Sequence, residues 1–75
     1  MEPDKAIDCL GFYCPEPIFR TRMALYEMES GEVLEVIADD PAAEEDIKSL
    51  VRRLGHKLLN LEVKEDRIRI IIRKK

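Results

Sequence analysis

The run Arg67-Ile68-Arg69-Ile70-Ile71-Ile72-Arg73 sets isoleucine against arginine at a period close to two. Successive side chains on a strand point to opposite faces, so Ile68, Ile70 and Ile72 define one dry face and the arginines a wet one. Ile71 breaks the alternation. A strand with one dry face cannot stand alone: it needs partner strands and an apolar layer to cover them.

The rest of the chain supplies both. Residues 6–10 form a short strand closed by Gly11, and Val33, Leu34, Val36 and Ile37 mark a second strand over residues 33–38. Leu59, Leu61 and Val63 are expected on one side of a third strand over residues 58–64, and Glu65-Asp66 turns the chain into the alternating run. Two stretches change period from two to 3.6. Ile18, Thr21, Leu25 and Met28 make one face of a helix over residues 15–29, which Ser30-Gly31 stops. Ile47, Leu50, Val51 and Leu54 make the stripe of a second helix, with Asp40 as its expected N-cap, Pro41 at its first position and Gly55 at its end.

The order β-α-β-α-β-β, with right-handed crossovers between parallel strands, places both helices on the same side of the sheet. The expected fold is α+β: a two-layer α/β sandwich in a single domain, with residues 1–5 as a short flexible N-terminal tail. Its second sheet face is open to solvent or to a partner.

With 75 residues the chain has room for one small core, so any site is shallow or shared with a partner. No apolar run is long enough to span a membrane and the first residues lack a signal-peptide pattern, so a cytoplasmic, reducing location is expected. A net charge of −3 argues against a general nucleic-acid coat. Arg67, Arg69, Arg73, Lys74 and Lys75 read as a solvated edge, and an RNA contact, where one exists, as an indirect one.

Both cysteines fall in Asp8-Cys9-Leu10-Gly11-Phe12-Tyr13-Cys14-Pro15-Glu16-Pro17. Cys14 stands at the N-cap position of the first helix, beside the positive end of its dipole, where thiolate is favoured. Pro15 is pre-shaped for the helix start, and Pro17 rigidifies the entrance while removing a possible N–H donor to sulfur. Glu16 opposes thiolate formation and has Arg20 four residues on as a partner. The net shift of the thiol is therefore unsigned at this level. Cys9 alternates with Ile7 and reads as a half-buried core residue. The C-x4-C spacing is not the C-x-x-C of redox proteins, and no zinc spacing links Cys9, Cys14 and His56, so no metal is expected. His56 reads as a helix-end or strand-start residue.

Taken together, Ile7-Asp8-Cys9-Leu10-Gly11, Cys14-Pro15-Glu16-Pro17, Ser30-Gly31-Glu32, Asp40-Pro41-Ala42, Asp46-Ile47, Leu54-Gly55-His56 and Ile72-Arg73-Lys74 resemble the TusA, or SirA-like, family of sulfur carriers. The resemblance covers nearly the whole chain. It implies a mixed four-stranded sheet of order 1-2-4-3 whose fourth strand is antiparallel to the rest. It also implies that Cys14 carries sulfur as a persulfide, received from a cysteine desulfurase or rhodanese and passed to an acceptor protein. Family members serve tRNA thiolation, molybdenum-cofactor maturation or sulfur metabolism. No cofactor is implied.

Winding the first helix at about 100° per residue puts Phe19, Met23 and Tyr26 nearly opposite its core face. Phe19 and Met23, flanked by Arg20 and Arg22, form an expected docking surface next to Cys14. Two other classes remain open: a thiol redox protein in which Cys9 resolves Cys14, and a binding module that uses the open sheet face.

Overall fold

In the computed structural model, which describes residues 2–75, the alternating isoleucines sit at the centre of a four-stranded sheet. The elements are β1 (Lys5–Cys9), α1 (Glu16–Glu27), β2 (Val33–Ala38), α2 (Ala43–Leu54), β3 (Lys57–Val63) and β4 (Ile68–Arg73). The strand order is β1-β2-β4-β3, with β1 and β2 parallel and β4 antiparallel to both its neighbours. This is the α+β arrangement of the sequence analysis. Ile68, Ile70 and Ile72 pair with Ala38, Val36 and Leu34, and all six side chains are buried under the helices. The core is completed by Cys9, Ala24, Leu25, Met28, Ala43, Ile47 and Val51.

The buried stripe of α1 is Pro17, Thr21, Ala24 and Leu25, with Met28 just beyond it. Ile18, expected in that stripe, is only half-buried. Pro17 takes its place because positions 17, 21, 24, 25 and 28 fall on one helical face once the helix starts at Glu16. The Thr21 hydroxyl, fully buried, donates to the Pro17 carbonyl at 2.8 Å, so no polar group is left unpaired there.

Chain ends and turns are closed by named contacts. Gly55 is left-handed (φ 82) and His56 N–H donates to the Val51 carbonyl at 3.0 Å, the αL close that Gly permits at least cost. The last turn of α1 has no basic residue of its own. Lys74 provides one from the end of the chain, its ammonium donating to the Leu25 carbonyl while its backbone pairs with Gly31 and Glu32. At the other end Asp4 both donates to and accepts from Val33, and Lys5 opens β1. The N-terminal tail of residues 1–5 is therefore shorter than expected, while Met1 lies outside the described residues.

Asp40 is not the N-cap of α2. That position is Ala42, and Asp40 instead shapes the turn before it, accepting from Ala42 N–H at 3.1 Å through its carboxylate. The expected Leu59-Leu61-Val63 face of β3 is also corrected. A bulge between Leu58 and Asn60 puts Leu58, Leu61 and Val63 opposite Ile72, Ile70 and Ile68. Leu59 goes to the open face, beside Ile71 and Val33 in a shallow depression. Ile71 breaks the alternation because it has this small apolar patch to join.

The rest of the open face is crossed by charge. Arg69 bridges Glu35 on β2 and Glu62 on β3, the latter at 2.9 Å. Among the described residues no helix is long and apolar enough to cross a membrane. The basic C-terminal cluster is largely engaged: Arg67 pairs with Asp66, Arg69 with two glutamates and Lys74 with a helix end.

Candidate functional site

Between β1 and α1 the chain makes a tight loop held by hydrogen bonds from the N–H groups of Leu10, Gly11, Phe12 and Cys14. Phe12 N–H donates to the Cys9 carbonyl at 3.2 Å, and Gly11 turns the chain at φ 83. Three carboxylates accept from the other three of these groups. Asp8 takes Leu10 N–H at 2.9 Å, Asp39 takes Gly11 N–H at 3.0 Å, and Asp40 takes Cys14 N–H at 2.7 Å. The loop is thus suspended from the C-terminal ends of β1 and β2, which places it at the top of the sheet.

Cys14 is not the N-cap of α1. Pro15 holds that position without a side-chain bond, its peptide bond to Cys14 is cis, and its carbonyl accepts Phe19 N–H at 3.0 Å as the helix begins. Cys14 sits one residue outside, exposed at the helix entrance. Glu16 follows in the first turn and is paired with Arg20 at 3.1 Å, whereas Pro17 is fully buried and pins the helix start to the core. The two prolines hold the entrance at different depths.

The thiol of Cys14 is pushed above the ordinary cysteine range. Its principal cause is the Asp46 carboxylate in the first turn of α2, placed to accept the thiol proton; partial desolvation and the negative charges of Asp46 and Asp40 add to it. The carboxylates of Asp46 and Asp40 thus act against the dipole of α1, which favours thiolate. Glu16, the opposing charge visible in sequence, is not among the causes.

Cys9 is fully buried and its thiol is also raised, chiefly by burial, against a lowering contribution from Arg20. Phe12 packs partly buried against the core, and the Arg20 guanidinium lies 4.1 Å from its ring centre. Arg20 is therefore held by Glu16 and Phe12. Both cysteines are free thiols, one inside the core and one outside it.

Of the other expected site residues, Phe19 and Met23 are 55% and 45% exposed. A groove of about 430 Å³ runs from Pro15 and Ile18 past Phe19 and Arg22 to Leu50 and Arg53 on α2. A second, of about 580 Å³, continues along Met23 and Tyr26 to Leu54, His56 and Lys74. Phe19 and Arg22 line both. Among the described residues no three His, Cys, Asp or Glu side chains converge to hold a metal ion.

The model of the family Sulfurtransferase TusA matches residues 5–74. The chain belongs to the TusA family. A curated relative from Archaeoglobus fulgidus, whose name refers to a sulfur carrier, is 56% identical over 62 residues, 83% of this chain and 80% of its own. The crystal structure of a SirA-like protein from Desulfitobacterium hafniense superposes with a TM-score of 0.81 at 30% identity, covering 92% of this chain and 95% of that one. In this TusA-family chain, sequence reasoning missed the contacts of Asp39, Asp40 and Asp46 with the thiol loop. The doubled acid before Pro41 was the available signal, since one N-cap needs only one acid.

Proposed function

We propose that this TusA-family chain is a sulfur carrier in which Cys14 takes up sulfane sulfur as a persulfide and relays it to an acceptor protein. The observation that carries the reading is the separation of the two thiols: Cys14 exposed on a tethered loop, Cys9 fully buried. A carrier thiol needs access for two successive partners and no neighbour that discharges it as a disulfide. The same separation weighs against Cys9 as a resolving thiol.

In loading, the Cys14 sulfur attacks the outer sulfur of a donor persulfide. The new Cys14 S–S bond forms as the donor S–S bond breaks, the donor leaves as a thiolate, and the oxidation level is conserved overall. Asp46 receives the proton that leaves Cys14, and the donor thiolate takes one up. The donor is a cysteine desulfurase or a rhodanese, and the acceptor belongs to tRNA thiolation, molybdenum-cofactor maturation or sulfur metabolism. Pro15, Glu16 and Pro17 hold the loop, while Phe19, Arg22 and Met23 provide the surface on which partners dock, with Arg20 bracing the loop beneath. An exposed free thiol is best kept in a reducing compartment, which is why the cytoplasm is the proposed location.

Intact-mass spectrometry after incubation with a cysteine desulfurase and cysteine tests this directly. Wild type and Cys9→Ser are expected to gain one sulfur atom and Cys14→Ser none. A loss of two hydrogens that needs both cysteines would instead establish the redox reading.

A further inference from the structure

Asp40 lies just beyond β2, is only 9% exposed, and has both carboxylate oxygens occupied. Oδ2 accepts Cys14 N–H at 2.7 Å, and Oδ1 accepts Ala42 N–H at 3.1 Å. Its own carbonyl accepts Ala43 N–H at 3.0 Å, and the Ala42 carbonyl in turn accepts Asp46 N–H at 3.1 Å. A continuous hydrogen-bonded path therefore runs from the backbone of Cys14 through Asp40 and Ala42 to Asp46.

We infer that Asp40 is the positioning residue of the thiol: it fixes the Cys14 backbone to the opening turn of α2, the turn that carries Asp46. The inference rests on the reading of Cys14 as the sulfur-carrying group. Two N–H donors from separate segments converge on one side chain, and a carboxylate satisfies both because it accepts at each oxygen. Asparagine has the same shape but one acceptor. Whichever way its amide is turned, an NH2 group faces one of the two N–H groups, and the charge-assisted character of the other bond is lost.

Fixing the residue that bears the nucleophile matters for transfer, since displacement of a reacting atom by about 1 Å can slow a reaction by about a hundredfold. Asp40 touches no reacting atom; removing its charge alone would favour the thiolate and speed attack, so a slower reaction marks the loss of Cys14's placement.

The test combines amide exchange at Cys14, followed by NMR, with single-turnover sulfur loading from a cysteine desulfurase, in wild type, Asp40→Asn, Asp40→Ala and the charge control Glu29→Gln, exposed before β2 at the end of the strand opposite Asp40. In Asp40→Asn, Cys14 amide protection should fall by about tenfold, as a lost hydrogen bond allows, and the loading rate by about tenfold, scaled from the cost of misplacing a reacting atom. The dispersion of the other resonances should be retained, and Glu29→Gln should match wild type. Wild-type loading by Asp40→Asn overturns the inference, whether or not the amide is exposed. Asp40→Asn decides the matter if Asp40→Ala does not fold. If wild type itself takes up no sulfur, the carrier reading fails, and the amide protection of Cys14 and the pH dependence of its alkylation still decide the role of Asp40. Both must then differ in Asp40→Asn for the inference to stand.

Discussion

At the scale of single residues, Cys14 is under two opposed influences. The positive end of α1 draws toward thiolate, whereas Asp46, with Asp40 behind it, holds the proton on sulfur. The thiol is raised, so the thiolate population rises only above the ordinary cysteine range. Alkylation of Cys14 by iodoacetamide is accordingly expected to accelerate with pH toward a midpoint higher than that of a small-molecule thiol. Asp46→Asn should lower that midpoint and speed alkylation several-fold at pH 7. An unchanged profile in Asp46→Asn would remove Asp46 from the site. The position of Cys14 at a helix entrance was legible because proline and chain order are local signals, whereas the sign of its shift depends on residues far along the chain. Asp40 meets Cys14 across 26 positions, and only the return of β2 beside β1 brings them together.

At the scale of elements, strand and helix periods were legible wherever one face is dry and the other wet. β4 alternates apart from Ile71, β2 alternates from Leu34 onward, and α2 carries a clean stripe whose buried members are Ala43, Ile47, Leu50 and Val51. What sequence could not place is the β3 bulge, because a one-residue insertion swaps the faces on either side without changing composition. It also could not show that α1 obtains its C-terminal cation from Lys74, at the far end of the chain. That contact leads to a stability prediction. Lys74→Met should cost about 1 kcal/mol, the usual worth of a partly buried cation at a helix C-terminus, read as a lower midpoint in urea. Next to it, the backbone N–H of Lys75 donates to His56 Nδ1 at 3.0 Å, which requires the neutral ring. Burial, then Lys74 and Lys75, lower the His56 pKa in the folded state. The unfolded chain therefore takes up its proton first as pH falls. The stability linked to His56 is fully present above its unfolded pKa of about 6.5 and is lost as pH falls through the lower folded value. Thermal midpoints should decline over that window in wild type and less so in His56→Gln; equal declines would assign the effect to other groups.

At the scale of the whole molecule, the fold provides one exposed thiol and little machinery around it. A chain of 75 residues has no room to enclose a substrate, and the open sheet face is closed to simple apolar stacking by the Glu35-Arg69-Glu62 bridge, since burying those charges would demand new partners for them. The exposed apolar surface lies on the other side. Phe19, Met23, Tyr26 and Leu54 stand along the groove between α1 and α2, with Arg22 and Arg53 on its rim. Aromatic, methionine and arginine side chains are the usual anchors of interfaces, and this groove begins at Pro15, immediately after Cys14. If partners dock there, Phe19→Ala should lower kcat/KM for loading by a protein donor about tenfold, equivalent to about 1.4 kcal/mol, through KM more than through kcat. Arg22→Ala should lower it less and reduce its dependence on salt, as expected for a rim charge that steers association. Neither change touches the thiol loop, so both variants should accept sulfur from a small-molecule persulfide at the wild-type rate. An equal loss with the small donor would place the defect at Cys14 itself. Unchanged loading by every protein donor tried would move the docking surface away from α1.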